Sequence, residues 1–549
     1  MSYFFLKKNL IYLLLFITSI IGFNIINDYG IGIEEHFQRK SGFYWLNYIL
    51  NFTNLDFLSL RVSEKLNEIN YFTPNLFPIE KVPYYGVVFD LPLALIEIIF
   101  EINQPQNYFR LRHIAMFVIS LIGAFTFYKI ILNRFNDFFV ANFGFLIFIF
   151  LPRIFGSIFF DNKDTLFLII VTFNIYFLLN YLKNESIKNL TYFSLFCALC
   201  VSTRIIGILI PLSFIFFIFL KHLSDVKYKE NFKIIFIFII SFSFFLFLHW
   251  PYLWTLSVPE WFNFFSPFFQ AMNPIVYFNG EFYQSKYLPL SYLPTWIILS
   301  TPVFILILFF YGLFLMCSRF ANNFINVESF NTSGKYDFWN SKKEAFDLMI
   351  LINFVLIILL YISVDLALLS GWRHFYFLNF YILYFVCFCI FLLFEKFKRD
   401  NLKHKIIKYS LIIFLSIQLV DIYQYHPFQS SYFNNLISKS KREKFEIDTQ
   451  SLSRMHAIKE ILKFNNGITL IGTASWTPLE DARSMINQDL WKKLNFTGTN
   501  FENADFIYSN HYYDVDTNFN KKYQIPENFY LYKIFSVDGT KIYSIYKKK

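Results

Sequence analysis

Long apolar runs, separated by short polar interruptions, dominate the first 423 positions of the chain. A helix crossing a bilayer needs about 20 mostly apolar residues, because its backbone must satisfy its own hydrogen bonds in hydrocarbon. On that criterion spans are predicted near 5–26, 112–132, 137–152, 164–182, 189–203, 204–221, 232–250, 291–316, 347–366, 374–395 and 405–423. The expected fold class is an α-helical polytopic membrane protein with about eleven spans. The segment 85–102 has nearly the right length, but Asp90, Glu97 and Glu101 interrupt it. A carboxylate at the bilayer centre costs roughly 2.5–3.5 kcal/mol, so this segment reads as a juxtamembrane helix that keeps its acids wet in the interface.

Beyond residue 424 the pattern changes. Short alternating stretches at Ile468–Ile471, Asp505–Tyr508 and Lys541–Tyr546 predict strands, and 451–464 predicts a helix. The chain thus divides into a transmembrane part, 1–423, and a small C-terminal α/β domain, 424–549, with a long first loop at about 27–111.

Charge sets the orientation. Lys129 and Arg134, Lys183 and Lys188, Lys221 to Lys233, Arg319 to Lys343, and Lys396 to Lys408 fall at one set of helix ends, whereas 251–290 carries only Lys286. Lys and Arg accumulate on the cytoplasmic side. The N-terminus, with Lys7 and Lys8 before an apolar run and no A-x-A-like cleavage site, is expected in the cytoplasm as an uncleaved first helix. The first loop, the 250–290 loop and the C-terminal domain are then extracytoplasmic, and 319–345 is a cytoplasmic connector. A bacterial inner (plasma) membrane is the expected location.

Composition agrees with the pattern. Only 16% of the 549 residues are charged, against about 25% in soluble domains. The net charge of +10 would raise nucleic-acid binding in a soluble protein, but here it flanks apolar runs and no nucleic-acid partner is expected. Cys197 and Cys200 have C-x-x-C spacing but no second pair or nearby His, so they read as helix-packing residues and no disulfide framework is implied.

The ionisable residues that remain gather at one set of helix ends, and such residues at membrane depth usually mark a site. Glu34-Glu35-His36 follows the first span and can supply a general base or hold a divalent cation, or be ordinary loop charge. Asp161-Asn162-Lys163-Asp164 opens the helix after Pro152-Arg153, where Asp164 is also a favourable cap. Arg204, between two apolar runs, suits a phosphate partner or a structural pair with one of these acids. Arg373 and His374 suit an anionic lipid headgroup, with an interfacial aromatic belt as the plain alternative. His426 and Trp250-Pro251-Tyr252 specify no chemistry alone. No nucleotide-binding glycine loop, H-E-x-x-H or G-x-S-x-G is present.

These landmarks, in this order, resemble the GT-C glycosyltransferases, specifically bacterial relatives of protein O-mannosyltransferases and of the aminoarabinose–lipid A transferase. Glu34-Glu35 is similar to the family's acidic first-loop motif, usually Asp-Glu, and Lys163-Asp164-Thr165-Leu166-Phe167 resembles its K-D-x-P-F motif. Gly371-Trp372-Arg373-His374-Phe375-Tyr376-Phe377 matches a G-W-R-H-F-Y-F stretch, and His426-Pro427-Phe428-Gln429 with Tyr432-Phe433-Asn434 resembles a closing H-P-Y-Q-x-x-Y-Y-N motif. The resemblance spans essentially the whole chain. It implies a polyprenyl-phosphate-linked sugar donor, inverting transfer to a protein, lipid or glycan acceptor, an active site at the outer membrane face, and juxtamembrane helices in the first loop. By carry-over, Glu34 or Glu35 is the base and Asp164 orients the acceptor or a metal. Arg204, Arg373 and His374 contact the donor phosphate, with Lys163 and His426 also on the substrate side. Glu35 and Asp164 are the candidate ligands of a Mg²⁺ or Mn²⁺ ion. Glu34 stands where Asp is usual, and Leu166 where Pro is usual.

A transporter or flippase for a lipid-linked sugar is the competing reading. It calls for inverted repeats or broken helices near mid-membrane, whereas this chain shows no repeat and its charges collect at one face.

Overall fold

Nine helices among the described residues are long and apolar enough to cross a membrane, and two shorter apolar helices accompany them. The computed structural model describes residues 2–53, 55–72, 84–224, 228–264, 273–325, 338–464, 467–511 and 521–549. Lys227, Lys335 and the middle of the 319–345 connector lie outside these. The helices are α1 (Ser2–Ile25), α2 (Glu35–Phe52), α3 (Asp56–Phe72), α4 (Asp90–Ile99), α5 (Pro105–Phe135), α6 (Phe138–Ile149), α7 (Pro152–Ser157), α8 (Asp164–Lys183), α9 (Ile187–Thr203), α10 (Leu209–Ser224) and α11 (Tyr228–His249). After a hairpin come α12 (Tyr292–Ser300), α13 (Val303–Ile325), α14 (Lys342–Ser363), α15 (Leu378–Lys396), α16 (Asn401–Gln424) and α17 (Ser453–Leu462).

The surface inverts the soluble pattern. Tyr12 and Phe16 on α1, Phe236 and Phe244 on α11, and Phe314 on α13 are exposed, while Arg112, Asp164 and Asp347 are buried. That is the signature of a solvent that welcomes hydrocarbon and rejects charge, and the chain is a multi-pass integral membrane protein.

The eleven expected runs correspond to nine long helices plus the short α6 and α9. Several boundaries shift by three to seven residues, and one run is broken. The run at 291–316 is two helices, because Pro302 forces Thr301 into an extended conformation between α12 and α13. The corner between α9 and α10 is equally local in origin. Arg204 is extended, and a Cβ on Gly207 would come within 2.6 Å of the Cys200 backbone, so only glycine lets the chain turn this tightly.

The segment 85–102 does not span, and its helix α4 has ten residues. The expected reason needs correcting, however. Asp90 and Glu97 are not wet but buried, each paired with arginine, and Glu101 alone is exposed, beside Arg61. A burial of that kind is tolerated only where every charge finds a partner.

At the far end of α5, Arg134 donates through Nε to Asp347 of α14 at 2.7 Å, and Tyr384 of α15 donates to the same carboxylate at 2.6 Å. This knot ties three helices together.

The C-terminal part forms a five-stranded sheet in the order β4-β3-β5-β7-β6, with β3 (Thr469–Thr473), β4 (Leu494–Gly498), β5 (Phe506–Ser509), β6 (Phe529–Val537) and β7 (Thr540–Lys548). The strand β3 runs parallel to both β4 and β5, whereas β7 runs antiparallel to both β5 and β6. The three predicted strands and the predicted helix are present. The strands β4 and β6 were not foreseen, nor was the hairpin of β1 (Ile275–Phe278) and β2 (Glu281–Gln284). The sheet is docked beside the first loop. Arg454 donates to the Ile31 carbonyl at 3.1 Å, and the His36 imidazole Nε2 donates to the Asp481 carbonyl at 3.0 Å.

Candidate active site

Five charged side chains from four separate segments meet at one end of the helical body. Glu34 stands at the N-cap of α2, Lys163 and Asp164 at the start of α8, Arg204 at the α9–α10 corner, and Arg373 in a helical turn before α15. All but Glu34 sit where an apolar helix begins or ends, so those side chains leave hydrocarbon without breaking a span. Gly371, with φ of +70°, turns the chain just before Arg373.

Four ion pairs link the five. Arg373 donates to Glu34 Oε1 and lies 3.7 Å through Nε from Asp164 Oδ2. Arg204 donates to Asp164 Oδ1, and Lys163 Nζ lies 3.4 Å from Glu34 Oε2. Tyr85 roofs two of the cations, its ring 4.0 Å from Lys163 Nζ and 5.9 Å from the Arg204 guanidinium. Three cations therefore face two carboxylates in these pairs, and the neighbouring Asp161 supplies a third negative charge beside Arg373.

The α8 turn is shaped by Asp161. Its carboxylate accepts from the backbone amides of Asp164 and Thr165, both at 3.0 Å, and from the Thr165 hydroxyl at 2.9 Å. Burial, with the nearby Asp164 charge, raises the Asp161 carboxyl to about 6. Burial likewise opposes ionisation of Glu34, but the charges of Arg373, Lys163 and Arg204 outweigh it and hold this carboxyl well below its usual range. His374 is driven the other way. Burial, then the neighbouring Arg204 charge, pushes its imidazole down to about 3, so it is neutral at physiological pH.

Hydrogen-bonding capacity is left over. Among the described residues, Glu34 Oε2, Asp164 Oδ2, Arg204 Nε and Arg373 Nε are buried without a hydrogen-bond partner. Two acceptors and two donors unfilled within one cluster are costly unless something else engages them.

The structure brings together Glu34, Lys163, Asp164, Arg204, Arg373 and His374. It keeps two other candidates apart. Glu35 turns inward, accepting from the Gly32 amide at 2.7 Å and pairing with His113 at 3.0 Å. His426 donates to Asp28 at 3.0 Å and accepts from Gln429 at 3.2 Å. Asp161 and Tyr85 are parts of the site that sequence reasoning passed over. Asp161 stands before the N-cap Lys163, outside the ordinary capping position, so its role had no plain sequence signal.

Among the described residues, no three His, Cys, Asp or Glu side chains gather as a metal-ligand set. Glu35 and Asp164 have separate partners, and guanidinium groups flank Asp164. The residues present fit an anion rather than a divalent cation.

No protein-family profile matches the sequence, and no curated protein matches it. Among solved structures, the chain is similar to ArnT from Cupriavidus metallidurans bound to undecaprenyl phosphate, at 9% identity and a TM-score of 0.43, over 99% of this chain and 98% of that one. The apo state of the same protein is similar at 9% identity and a TM-score of 0.46, with 97% of each chain covered. The archaeal oligosaccharyltransferase AglB from Archaeoglobus fulgidus, in complex with an inhibitory peptide and a dolichol-phosphate, is similar at 12% identity and a TM-score of 0.45, over 92% of this chain and 70% of that one.

Proposed function

We propose that the protein is a membrane glycosyltransferase that moves a sugar from a polyprenyl-phosphate donor to an acceptor hydroxyl, with inversion, at the outer face of a bacterial inner membrane. The observation that carries this reading is the set of buried polar atoms without a hydrogen bond where three cations converge. A sugar phosphodiester brings one negative charge and several hydroxyls. Its phosphate oxygens suit the Nε–H groups of Arg204 and Arg373, which make no hydrogen bond, and a hydroxyl proton suits Glu34 Oε2 or Asp164 Oδ2, which hold only ion pairs of 3.4 and 3.7 Å.

In the reaction, the acceptor oxygen attacks the anomeric carbon while the bond from that carbon to the phosphate oxygen breaks. The electron pair leaves on the phosphate, where Arg204, Arg373 and Lys163 stabilise the growing charge. The acceptor proton passes to Glu34. In the free protein Glu34 is a weak base because cations surround it. A bound phosphate competes for those cations, so basicity rises when the donor is in place. Asp164 holds Arg204 and Arg373 in position and orients the acceptor. Neutral His374 offers one donor and one acceptor to the sugar or the phosphate without adding charge.

The test is transfer from synthetic polyprenyl-phosphate sugars by purified protein in lipid, with Glu34→Gln beside wild type. Transfer by wild type, lost in the variant while the fold stays intact, supports the reading. Absence of transfer from every donor, with donor translocation unaffected by the variant, supports a flippase instead.

A further inference from the structure

We propose that Arg112 and His113, consecutive residues of α5, are positioning residues that fix the spacing of the two acidic loops, Arg112 through Asp90 and Asn162, and His113 through Glu35. This rests on the glycosyltransferase reading for its kinetic consequence, but not for its structural one.

The contacts are direct. Arg112 Nη1 donates to Asp90 Oδ1 at 2.8 Å, and the Asn162 amide donates to the same oxygen at 2.9 Å. Asn162 is the chain neighbour of Lys163. One residue on, His113 pairs with Glu35, the chain neighbour of Glu34. The two loops whose side chains meet as Lys163 and Glu34 are thus each held, one residue away, from adjacent positions of a single rigid helix.

The tether is itself braced. The other nitrogens of Arg112 donate to Glu97 Oε1 at 3.1 and 2.7 Å, and Arg39 of α2 donates to Glu97 Oε2 at 2.9 and 2.8 Å. Arg39 in turn stacks 3.6 Å from the Tyr108 ring. All four charged groups are at most 5% exposed and balance to zero. Packing is as close as sterics allow, since a Cβ on Gly42 of α2 would lie 2.5 Å from the Asp90 carbonyl.

A balanced ionic quartet in a buried setting adds little net stability over apolar packing. What it supplies is geometry: two guanidinium forks and a carboxylate with fixed directions leave the 161–164 turn one place to sit. Asn162 is the point to test, because removing it cuts the tether and leaves the quartet whole.

The experiment compares wild type, Asn162→Ala and Asn162→Asp in lipid nanodiscs, by hydrogen exchange of the 161–165 amides and by steady-state transfer. The expected result for Asn162→Ala is faster exchange at 161–165 and a kcat reduced about 10- to 100-fold, in line with a displacement near 1 Å costing on the order of 100-fold. The donor KM should change less than about 3-fold. Asn162→Asp should show the same deficit at neutral pH, where two carboxylates oppose each other. The deficit should shrink on acidification, as a shared proton restores a donor to Asp90. Unchanged exchange in Asn162→Ala, or faster exchange with unchanged kcat, overturns the proposal. Wild type inactive with every donor, yet faster exchange in Asn162→Ala, defeats the functional reading and leaves the tether standing.

Discussion

Glu34 and Arg373, 339 residues apart in the chain, are joined by a direct ion pair. The proposed base and the cation that most strongly holds it thus come from opposite ends of the transmembrane part. Glu34 is about a quarter exposed, at 27%, whereas the Arg373 side chain is 4% exposed. The Glu34 side chain thus keeps one face open although its Oε2 is buried, and the cation that holds it is enclosed.

The two neighbouring glutamates should separate cleanly by experiment. Glu34→Gln is expected to cut transfer at least 100-fold with little change in thermal stability, because general-base catalysis contributes roughly 100- to 10,000-fold. Glu35→Gln should retain a larger share of activity but melt earlier, since it breaks the buried pair with His113. Single-turnover transfer and thermal unfolding in detergent check both.

Arg373→Lys tests the need for a planar fork. A lysine keeps the charge but cannot face Glu34 and Asp164 together. A 10- to 100-fold loss in kcat/KM is expected, on the scale of about 1.5–3 kcal/mol for hydrogen bonds to charged groups. Combined with Glu34→Gln, the two losses should be less than additive in free energy, as a double-mutant cycle would record.

Acid should weaken activity before it weakens the fold. Asp90 and Asp161 are both raised to about 6, chiefly by burial, so they take up protons as pH falls through about 6 and release their partners Arg112 and the α8 amides. Their folded pKa values lie above the usual 3.8, so between about 6 and 3.8 the folded state binds more protons than the unfolded one. These two groups therefore favour the fold on acidification. His374 has the opposite sign: its pKa is lowered from 6.5 to about 3, so its contribution to stability is lost as pH falls below about 6.5. Glu34, held low, loses its contribution only at still lower pH, through and below its usual 4.5. A transfer–pH profile with an acid limb near 6, measured beside the thermal midpoint at each pH, checks the order.

Gly312 should tolerate nothing larger. A Cβ there would lie 2.1 Å from the Phe385 carbonyl, where α13 crosses α15. Backbone cannot swing aside as a side chain does, so Gly312→Ala should destabilise by about 1–3 kcal/mol, the usual cost of overpacking. A lowered thermal midpoint with the site chemistry intact is the expected result.

Much of the site was legible because most of its charges stand at the ends of apolar runs. Lys163, Asp164, Arg204, Arg373 and His374 are conspicuous in a chain where charge is scarce. What could not be read is pairing across distance. Nothing in the 85–102 segment announces that Glu97 meets Arg39, 58 residues away, so burial with a partner and exposure to water looked alike. The divergence of Glu34 and Glu35 is likewise geometric, since successive residues entering a helix point about 100° apart. Other misses were signals overlooked. Asn279-Gly280 and Asp538-Gly539, all with positive φ, are the turns that suit two-residue hairpins, and they join β1 to β2 and β6 to β7.

The length of α5 has a consequence for where the chemistry occurs. Arg112 and Arg134, which anchor the two buried ionic knots, are 22 residues apart on this helix, about 33 Å at 1.5 Å per residue. The hydrocarbon of a bilayer is about 30 Å thick. The spacing of the two knots along the helix thus matches the thickness of the hydrocarbon. On the proposed function, a lipid phosphate presented at the Arg112 level would meet the charged cluster without rising out of its own leaflet, its prenyl tail staying dissolved among neighbouring tails.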